Sequence, residues 1–218
     1  MIHELPSITY NYELDHHLLY LDSTDSGGHG CKDALADVIK RTGLKKHYTH
    51  AHEWCCGHGR LGFNILFNNM CDQLTLSDCD YNSIISCEFT TAVNQIDHKV
   101  HLFWIDEFSD IPVPAQPWDL IVTNPPFVPD RSFHESKGLC INDRQHVMWV
   151  DSEWEAHTNF FKHAKNYITN DCDIYVFGIS KFISEQMELA KSHGFKFIQK
   201  YDDLRATSPF ELLHFRPS

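Results

Sequence analysis

Short apolar runs alternate with amphipathic stretches along most of this chain. Short runs bounded by turn residues predict strands, whereas apolar positions that recur every three or four residues predict helices. The run at residues 119–123 is apolar along nearly its whole length, which is typical of a strand buried on both faces. The predicted strands cover residues 49–54, 74–76, 100–105, 119–123, 173–177, 195–200 and 211–215, and the predicted helices cover residues 61–69, 83–93, 153–167 and 180–192.

The predicted strands and helices alternate until the last two strands, which follow each other with no helix between them. This order predicts an α/β fold with a single doubly wound, mostly parallel seven-stranded sheet and an antiparallel terminal strand. A further helix is expected where Leu35, Val38 and Ile39 share one face. We therefore expect a Rossmann-like domain over residues 31–218, preceded by a polar, aromatic-rich lead-in over residues 1–30 that is a candidate lid over substrate or cofactor.

Composition narrows the class of protein. A length of 218 residues, with 42% hydrophobic and 22% charged residues, suits one globular domain. No apolar run approaches the ~18 residues of a membrane span, and the chain starts without a signal-peptide pattern, so we expect a cytoplasmic protein. The formal net charge of −12 and the absence of a long basic cluster favour a protein or small-molecule substrate over nucleic acid.

The eight cysteines and sixteen histidines raise the questions of disulfides and metal binding. No C-x-x-C pair is present, so we expect free thiols in a reducing compartment. His50 and His52, close to His47, have the spacing that puts two side chains on one face of a strand. No carboxylate or cysteine nearby completes a familiar ligand pattern, and no metal site is predicted.

The first chemical signal is the sequence Glu-Trp-Cys-Cys-Gly-His-Gly-Arg-Leu-Gly at residues 53–62. Its glycines fit G-x-G-x-x-G between a predicted strand and helix, where a ligand approaches the backbone closely. Alone, this motif fits a nicotinamide or flavin dinucleotide equally well. Glu53 changes that balance, because a carboxylate at the end of the strand repels a pyrophosphate and suits the cationic amino group of a methionine moiety.

Acidic residues follow the next two predicted strands. Asp78 lies 21 residues after Gly57, close to the spacing at which a carboxylate binds ribose hydroxyls. We expect Asp80 to lie nearer the cap of the following helix. Asp106, which precedes Glu107, is placed to accept a hydrogen bond from the amino group of an adenine.

The most specific signal is Asn-Pro-Pro-Phe at residues 124–127, directly after the buried strand. Proline fixes φ and has no backbone donor, so the loop is rigid and presents carbonyl oxygens. Asn124 and Pro125 can accept both hydrogens of an –NH₂ group, with Phe127 flat against the planar group behind it. Two acceptors favour the pyramidal geometry that a planar nitrogen reaches as it attacks, and we assign these three residues catalytic roles.

Together these signals resemble the class I, Rossmann-like methyltransferases that carry N-P-P-[FY], from about Cys31 onward. Within that class, Asn-Pro-Pro-Phe-Val and residues 210–216 are similar to the small HemK-like N5-glutamine methyltransferases. The resemblance implies S-adenosylmethionine as methyl donor, a protein glutamine as substrate, for example in a translation release factor, and a possible small zinc-binding partner subunit. The candidate cofactor-binding residues are Glu53, Cys55, Gly57, Gly59, Asp78, Asp106, Glu107 and Asn124.

Departures from that family leave the substrate open. Cys55 stands where the family commonly has glycine, residues 25–30 replace its usual lead-in pattern, and residues 128–150 follow no pattern of the family. The alternatives with the same reaction are an adenine N6 or guanine N2 amino group in nucleic acid, and a small metabolite. The alternatives of a different class are an NAD-dependent oxidoreductase on the same glycine turn and a catalytically silent binding module.

Overall fold

The computed structural model describes residues 8–14, 17–22, 35, 38–39, 45, 47–130, 148–201 and 210–218. The chain divides into two compact units, Met1–Asp106 and Glu107–Ser218. The predictions for residues 23–30, including the candidate lid at 27–30, and for residues 131–147 lie outside the described part of the chain. Across the described ranges, the helices lack the length and apolar character that crossing a membrane requires.

The first unit contains the predicted alternation of strands and helices. Its elements are β1 (Ile8–Leu14), β2 (His17–Asp22), β3 (Tyr48–Trp54), α1 (Arg60–Phe67), β4 (Cys71–Asp78), α2 (Tyr81–Val93) and β5 (Val100–Trp104). β4 lies between β3 and β5 and is parallel to both. Leu35, Val38 and Ile39 are helical and buried, as their spacing predicts.

The hairpin of β1 and β2 is an element that the sequence analysis missed. The two strands are antiparallel, and β2 lies against α2. The Leu18 amide donates to Asn94 Oδ1 at 3.0 Å, and Asn94 Nδ2 donates to the Leu18 carbonyl at 2.7 Å. The ring of His17 stacks on Phe67 of α1 with centroids 4.0 Å apart. Part of the predicted lead-in is therefore a structured layer over the helices of the first unit.

The second unit carries the other four strands of the seven-stranded sheet. Its elements are β6 (Trp118–Thr123), α3 (Glu155–His163), β7 (Ile168–Ile179), α4 (Ile183–Ser192), β8 (Phe195–Tyr201) and β9 (Phe210–Pro217). β6 is parallel to β7, and β9 is inserted antiparallel between β7 and β8. The prediction of a mostly parallel seven-stranded sheet with an antiparallel terminal strand is confirmed.

The residues of β6 are all buried, as the apolar run predicts. The structure differs from the prediction after this strand. The helix predicted over residues 153–167 begins only at Glu155, because Glu153 (φ 54°) and Trp154 (φ 61°) have left-handed backbone conformations. A right-handed helix cannot continue through two such residues.

Candidate functional site

The glycine turn between β3 and α1 is held through both polar groups of Gly57. The Gly57 amide donates to Asp78 Oδ2 at 2.7 Å, and its carbonyl accepts from the thiols of Cys56 at 3.3 Å and Cys87 at 3.5 Å. Gly57 has a φ of 51°, and the described part of the chain has no atom within 4 Å of the position that a Cβ would take. The turn therefore leaves the open, close approach to the backbone that the glycine motif predicts.

Glu53 joins the end of β3 to the start of α1. The side chain is buried, and it accepts hydrogen bonds from the amides of Leu61 at 3.3 Å and Gly62 at 2.7 Å. Those amides belong to the first turn of a helix, where backbone donors lack partners within the helix and a negative charge is stabilising. Glu53 thus has a structural role that sequence reasoning missed. Its binding of a cationic amino group stays a prediction.

Asp80 caps the helix that follows β4, as predicted, whereas Asp78 binds backbone amides of the glycine turn and of Asp80. Asp80 is the N-cap of α2 and accepts from the Asn82 amide at 3.3 Å and the Ser83 hydroxyl at 2.8 Å. Asp78 accepts from the amides of Gly57 and, at 2.8 Å, Asp80, while burial raises the pKa of its carboxyl group. Each carboxylate oxygen can accept a second hydrogen bond, so Asp78 retains capacity for ribose hydroxyls.

Asp106 is exposed directly after β5. Burial raises the pKa of the Cys79 thiol to about 11, and the negative charges of Asp78, Asp80 and Asp106 act in the same direction. The charges of these three carboxylates therefore all act on the thiol that directly follows β4. The ribose contact of Asp78 and the adenine contact of Asp106 stay predictions.

Glu107, the next residue, belongs to the second unit and is engaged there. Its amide donates to Asp110 Oδ2 at 3.2 Å, and its Oε2 accepts from Asn159 Nδ2 at 2.8 Å and the Ser109 hydroxyl at 3.3 Å. Glu107 therefore caps the 3₁₀ turn Phe108–Asp110 and ties it to α3. A cofactor contact of Glu107 stays a prediction.

Cys55 has a left-handed backbone conformation, with a φ of 52°. Only glycine adopts this region without strain, which gives a physical reason why a glycine would suit this position. Burial raises the pKa of the thiols of Cys56 and Cys87. The described cysteines are free thiols, as predicted: Cys55, Cys56, Cys71, Cys79, Cys87 and Cys172.

His50 and His52 lie on one face of β3, as their spacing predicts. Nε2 of His50 is hydrogen-bonded to Thr75 Oγ1 at 2.9 Å, and Nε2 of His52 to Ser77 Oγ at 2.8 Å. Burial lowers the pKa of His52, and the charge of His50 adds to this shift. Within the described ranges, histidine, cysteine and acidic side chains form no group of three or more that could hold a metal ion.

Asn124 carries the clearest sign of a ligand site. Its Oδ1 atom is buried and has no hydrogen-bond partner in the part of the chain that the structure describes. A buried carbonyl without a partner costs about 1–3 kcal/mol, and such a group in a native protein calls for an explanation. A ligand N–H group would satisfy it.

The remaining residues of the tetrapeptide are buried or partly buried. Pro125 is buried, and Phe127 packs in a small core cluster with Val128 and Phe182. Phe127 is only 6% exposed, so its ring supports the loop from below. The predicted stacking of Phe127 on a planar substrate stays a prediction.

Residues 149–153 hold the loop that follows Asn124, a contact without any signal in the sequence. The Trp149 carbonyl accepts from two loop amides, and two loop carbonyls accept from amides of this segment. The four bonds are Phe127 N to Trp149 O (3.3 Å), Val128 N to Trp149 O (3.1 Å), Asp151 N to Val128 O (2.9 Å) and Glu153 N to Pro129 O (3.1 Å).

Comparison with known families agrees with this geometry. Residues 33–139 match the family model described as the methyltransferase small domain. This match covers just under half of the chain, which over that range resembles the methyltransferase small domain. A relative, the uncharacterized protein MG259 of Mycoplasma genitalium, is 35% identical over 99 residues, which cover 44% of this chain and 20% of that protein. The match thus spans only a fifth of the relative's length.

Solved structures of methyltransferases share the fold of this chain. The ribosomal protein L11 methylase of Lactobacillus delbrueckii has a TM-score of 0.62 at 14% identity, covering 91% of this chain and 84% of that one. The tRNA m1G37 methyltransferase of M. jannaschii has a TM-score of 0.65 at 13% identity, with coverages of 99% and 58%. For the tRNA methyltransferase TrmK of B. subtilis the TM-score is 0.59 at 9% identity, with coverages of 86% and 66%.

Proposed function

We propose that this protein methylates a planar amide nitrogen, and that its substrate is a glutamine side chain in a protein. The observation that carries the proposal is the buried, unpartnered Oδ1 atom of Asn124 in the described structure. S-adenosylmethionine, when bound, supplies an electrophilic methyl group on a sulfonium. In the overall reaction the acceptor nitrogen gains one methyl group and loses one proton to water.

The residues of the first unit fit this methyl donor. Gly57 leaves open space where a Cβ would stand, which allows close approach of a ligand to the backbone. Asp78 keeps acceptor capacity for ribose hydroxyls, Glu53 offers a negative charge for the amino group, and Asp106 offers an acceptor for adenine. We infer that these residues hold the donor, with Cys55 and Gly59 shaping the turn between them.

Asn124 and Pro125 act on the acceptor nitrogen in this proposal. The lone pair of an amide nitrogen is delocalised, so the nitrogen attacks only as it becomes pyramidal. Two carbonyl oxygens that accept its hydrogens stabilise that geometry and align the lone pair. Removing one such preorganised partner commonly costs about 10²–10³ in rate.

The charge of the chain supports a protein substrate. The formal net charge is −12 and both units are acidic, which disfavours binding to the phosphates of nucleic acid. An exocyclic amino group of a nucleobase is the second candidate. Two of the similar structures are tRNA methyltransferases, and Trp149, a partly exposed aromatic residue, lies beside the Asn124 loop.

A methyl-transfer assay with matched acceptors tests the substrate class. The probes are a glycine-flanked peptide with one glutamine, the same peptide with asparagine, and single-stranded RNA oligonucleotides in which one adenine is kept or replaced by hypoxanthine. We expect labelled methyl from S-adenosylmethionine on the glutamine peptide alone. Label on the adenine oligonucleotide alone would establish the second candidate, and label on neither would contradict both.

Two substitutions of Asn124 test its role. Asn124→Ala should lower the transfer rate by about 10²–10³, whereas Asn124→Asp, which keeps an acceptor oxygen in place, should retain much more activity. Both variants should bind S-adenosylhomocysteine within a few-fold of the unaltered protein by calorimetry. Normal turnover by Asn124→Ala would refute the assignment.

A small partner subunit and a cytoplasmic location complete the proposal. The partner rests on the resemblance to the short HemK-like enzymes. Purification of the tagged protein from its own cells, followed by mass spectrometry, would test both. Isolation of an active, stable protein without a second subunit would contradict the need for a partner.

A further inference from the structure

Four backbone groups of the Asn124 loop are engaged by one short segment. We call residues 149–153 the clasp, because they form four backbone hydrogen bonds with residues 127–129. The clasp also aligns Val128 with Val150 in a parallel bridge. The loop that carries Asn124 is therefore fixed on its C-terminal side by the clasp, and on its N-terminal side by the buried strand β6.

The backbone is strained at the end of the clasp. Glu153, its last residue, and Trp154, which follows it, are both non-glycine residues in the left-handed region, with φ values of 54° and 61°. Such conformations persist only where surrounding contacts enforce them, and they concentrate at functional sites. Here the strain allows the Glu153 amide to donate to the Pro129 carbonyl at 3.1 Å.

Asp151 is the contact that enforces this geometry. Its side chain is buried, and its Oδ1 accepts from the Ala156 amide at 2.8 Å. Its Oδ2 accepts from the amide of His157 at 3.0 Å and from Nδ1 of the same residue at 2.6 Å. The backbone amide of Asp151 donates to Val128 in the loop, so this residue joins the loop to the start of α3.

A buried polar chain continues from Asp151 into α4. His157 is fully buried; its Nδ1 donates to Asp151, and its Nε2 accepts from Nε2 of Gln186 at 3.2 Å. Gln186 is 1% exposed. Trp154 covers His157, with ring centroids 5.0 Å apart, and also contacts Phe182 of the cluster that holds Phe127.

We propose that Asp151 is a positioning residue for the transfer reaction, which keeps the carbonyl of Asn124 fixed and unpaired until substrate arrives. This inference rests on the proposed function. A buried acceptor without a partner raises the free energy of the protein, and that free energy falls if the loop moves so that the acceptor meets a donor. The clasp opposes that movement, because any shift of the loop must break its bonds to the segment that Asp151 anchors.

The test combines substitution of Asp151 with a control that lowers stability at another place in the second unit. Asp151→Asn keeps the side-chain shape and one neutral acceptor oxygen but loses the carboxylate that binds His157, and Asp151→Ala loses every acceptor. Ala190→Gly, in α4 and away from the loop, serves as a control that lowers stability alone. The readouts are hydrogen exchange of the Phe127 and Val128 amides, S-adenosylhomocysteine affinity, and kcat and KM with the glutamine peptide.

For Asp151→Asn we expect at least tenfold faster exchange at both loop amides and at least a tenfold lower kcat. KM and the S-adenosylhomocysteine affinity should stay within threefold, and Asp151→Ala should show larger effects, since a small misplacement of reacting groups can cost about 10²-fold. Loop exchange or kcat in Asp151→Asn equal to those of Ala190→Gly would overturn the inference. Failure of the unaltered protein to methylate the peptide would instead refute the proposed function, and loop exchange would still decide the role of Asp151 in holding the loop.

Discussion

Substitution of Cys55 by glycine should stabilise this protein, although glycine usually destabilises. Cys55 lies in the turn between β3 and α1 with a φ of 52°, a region in which the Cβ atom approaches the following carbonyl oxygen. Its side chain is partly exposed, so little buried apolar contact is lost on removing it. The substitution therefore tests whether strain is stored in the predicted cofactor turn.

The magnitude follows from two opposing terms. A left-handed conformation costs a non-glycine residue about 1–2 kcal/mol, which glycine recovers. Glycine also increases the freedom of the unfolded chain, which gives back about 0.4–1 kcal/mol. The net stabilisation is about 0.5–1 kcal/mol, and for a protein of this size that raises Tm by about 1–4 °C.

Thermal and urea unfolding of Cys55→Gly would measure this gain. Asn69→Gly is the matched control, because Asn69 has nearly the same φ of 53° and asparagine tolerates the left-handed region. We expect Cys55→Gly to be stabilised clearly more than Asn69→Gly. A lower Tm for Cys55→Gly, or an equal change in both variants, would show that the turn stores no strain at Cys55.

Two further predictions concern the pH dependence of stability and the glycine turn. Burial lowers the pKa of His52, so the unfolded chain binds more protons, and the free energy of unfolding should fall as the pH drops below about 6.5 by up to about 1.4 kcal/mol per pH unit. In urea titrations at several pH values, the free energy of unfolding of His52→Gln should depend less steeply on pH, by the contribution of one proton. His98→Gln, at an exposed site, is the control, and an equal pH dependence in the two variants would contradict the assignment. Gly62→Ala should destabilise by about 1–3 kcal/mol, because its Cβ would lie 2.7 Å from a methyl group of Leu76. Gly57→Ala meets no described atom beyond its chain neighbours, but its φ of 51° should cost about 1–2 kcal/mol of stability, as argued for Cys55. It should also weaken S-adenosylhomocysteine binding, and an unchanged affinity in calorimetry would count against the open side of Gly57.

Periodicity alone predicted most elements of the sheet, for reasons that the structure makes clear. The run at residues 119–123 is buried in full, and the change from alternating elements to two final strands matches the insertion of β9. The hairpin of β1 and β2 was missed although Ile8, Tyr10, Tyr12 and Leu14 alternate with polar residues along β1, which is the period of a strand. Its order comes from contacts such as that between Leu18 and Asn94, which are distant in sequence.

Residues of the candidate site could be predicted from the sequence where their role depends only on neighbours within the same motif. Asp80 caps α2 from the position next to its own helix, and the buried Oδ1 of Asn124 lies in the loop that the motif marks. Glu53 bonds to the start of α1, and Asp151 acts through His157 across a strained turn. Neither contact follows a spacing rule, because each depends on where the backbone turns back on itself.

The insertion of β9 between β7 and β8 has a consequence for synthesis on the ribosome. β8 is paired with β9 alone among the described strands, and β9 is made after both β7 and β8. Until β9 has been synthesised, β8 and one edge of β7 therefore lack their pairing strand. Their unpaired backbone groups are exposed, which favours aggregation. The first unit holds β3, β4 and β5 in consecutive order and can assemble earlier. Premature termination before residue 210 would thus leave a nascent chain with two open strand edges, which makes chaperone dependence and clearance of truncated products a property of the topology itself.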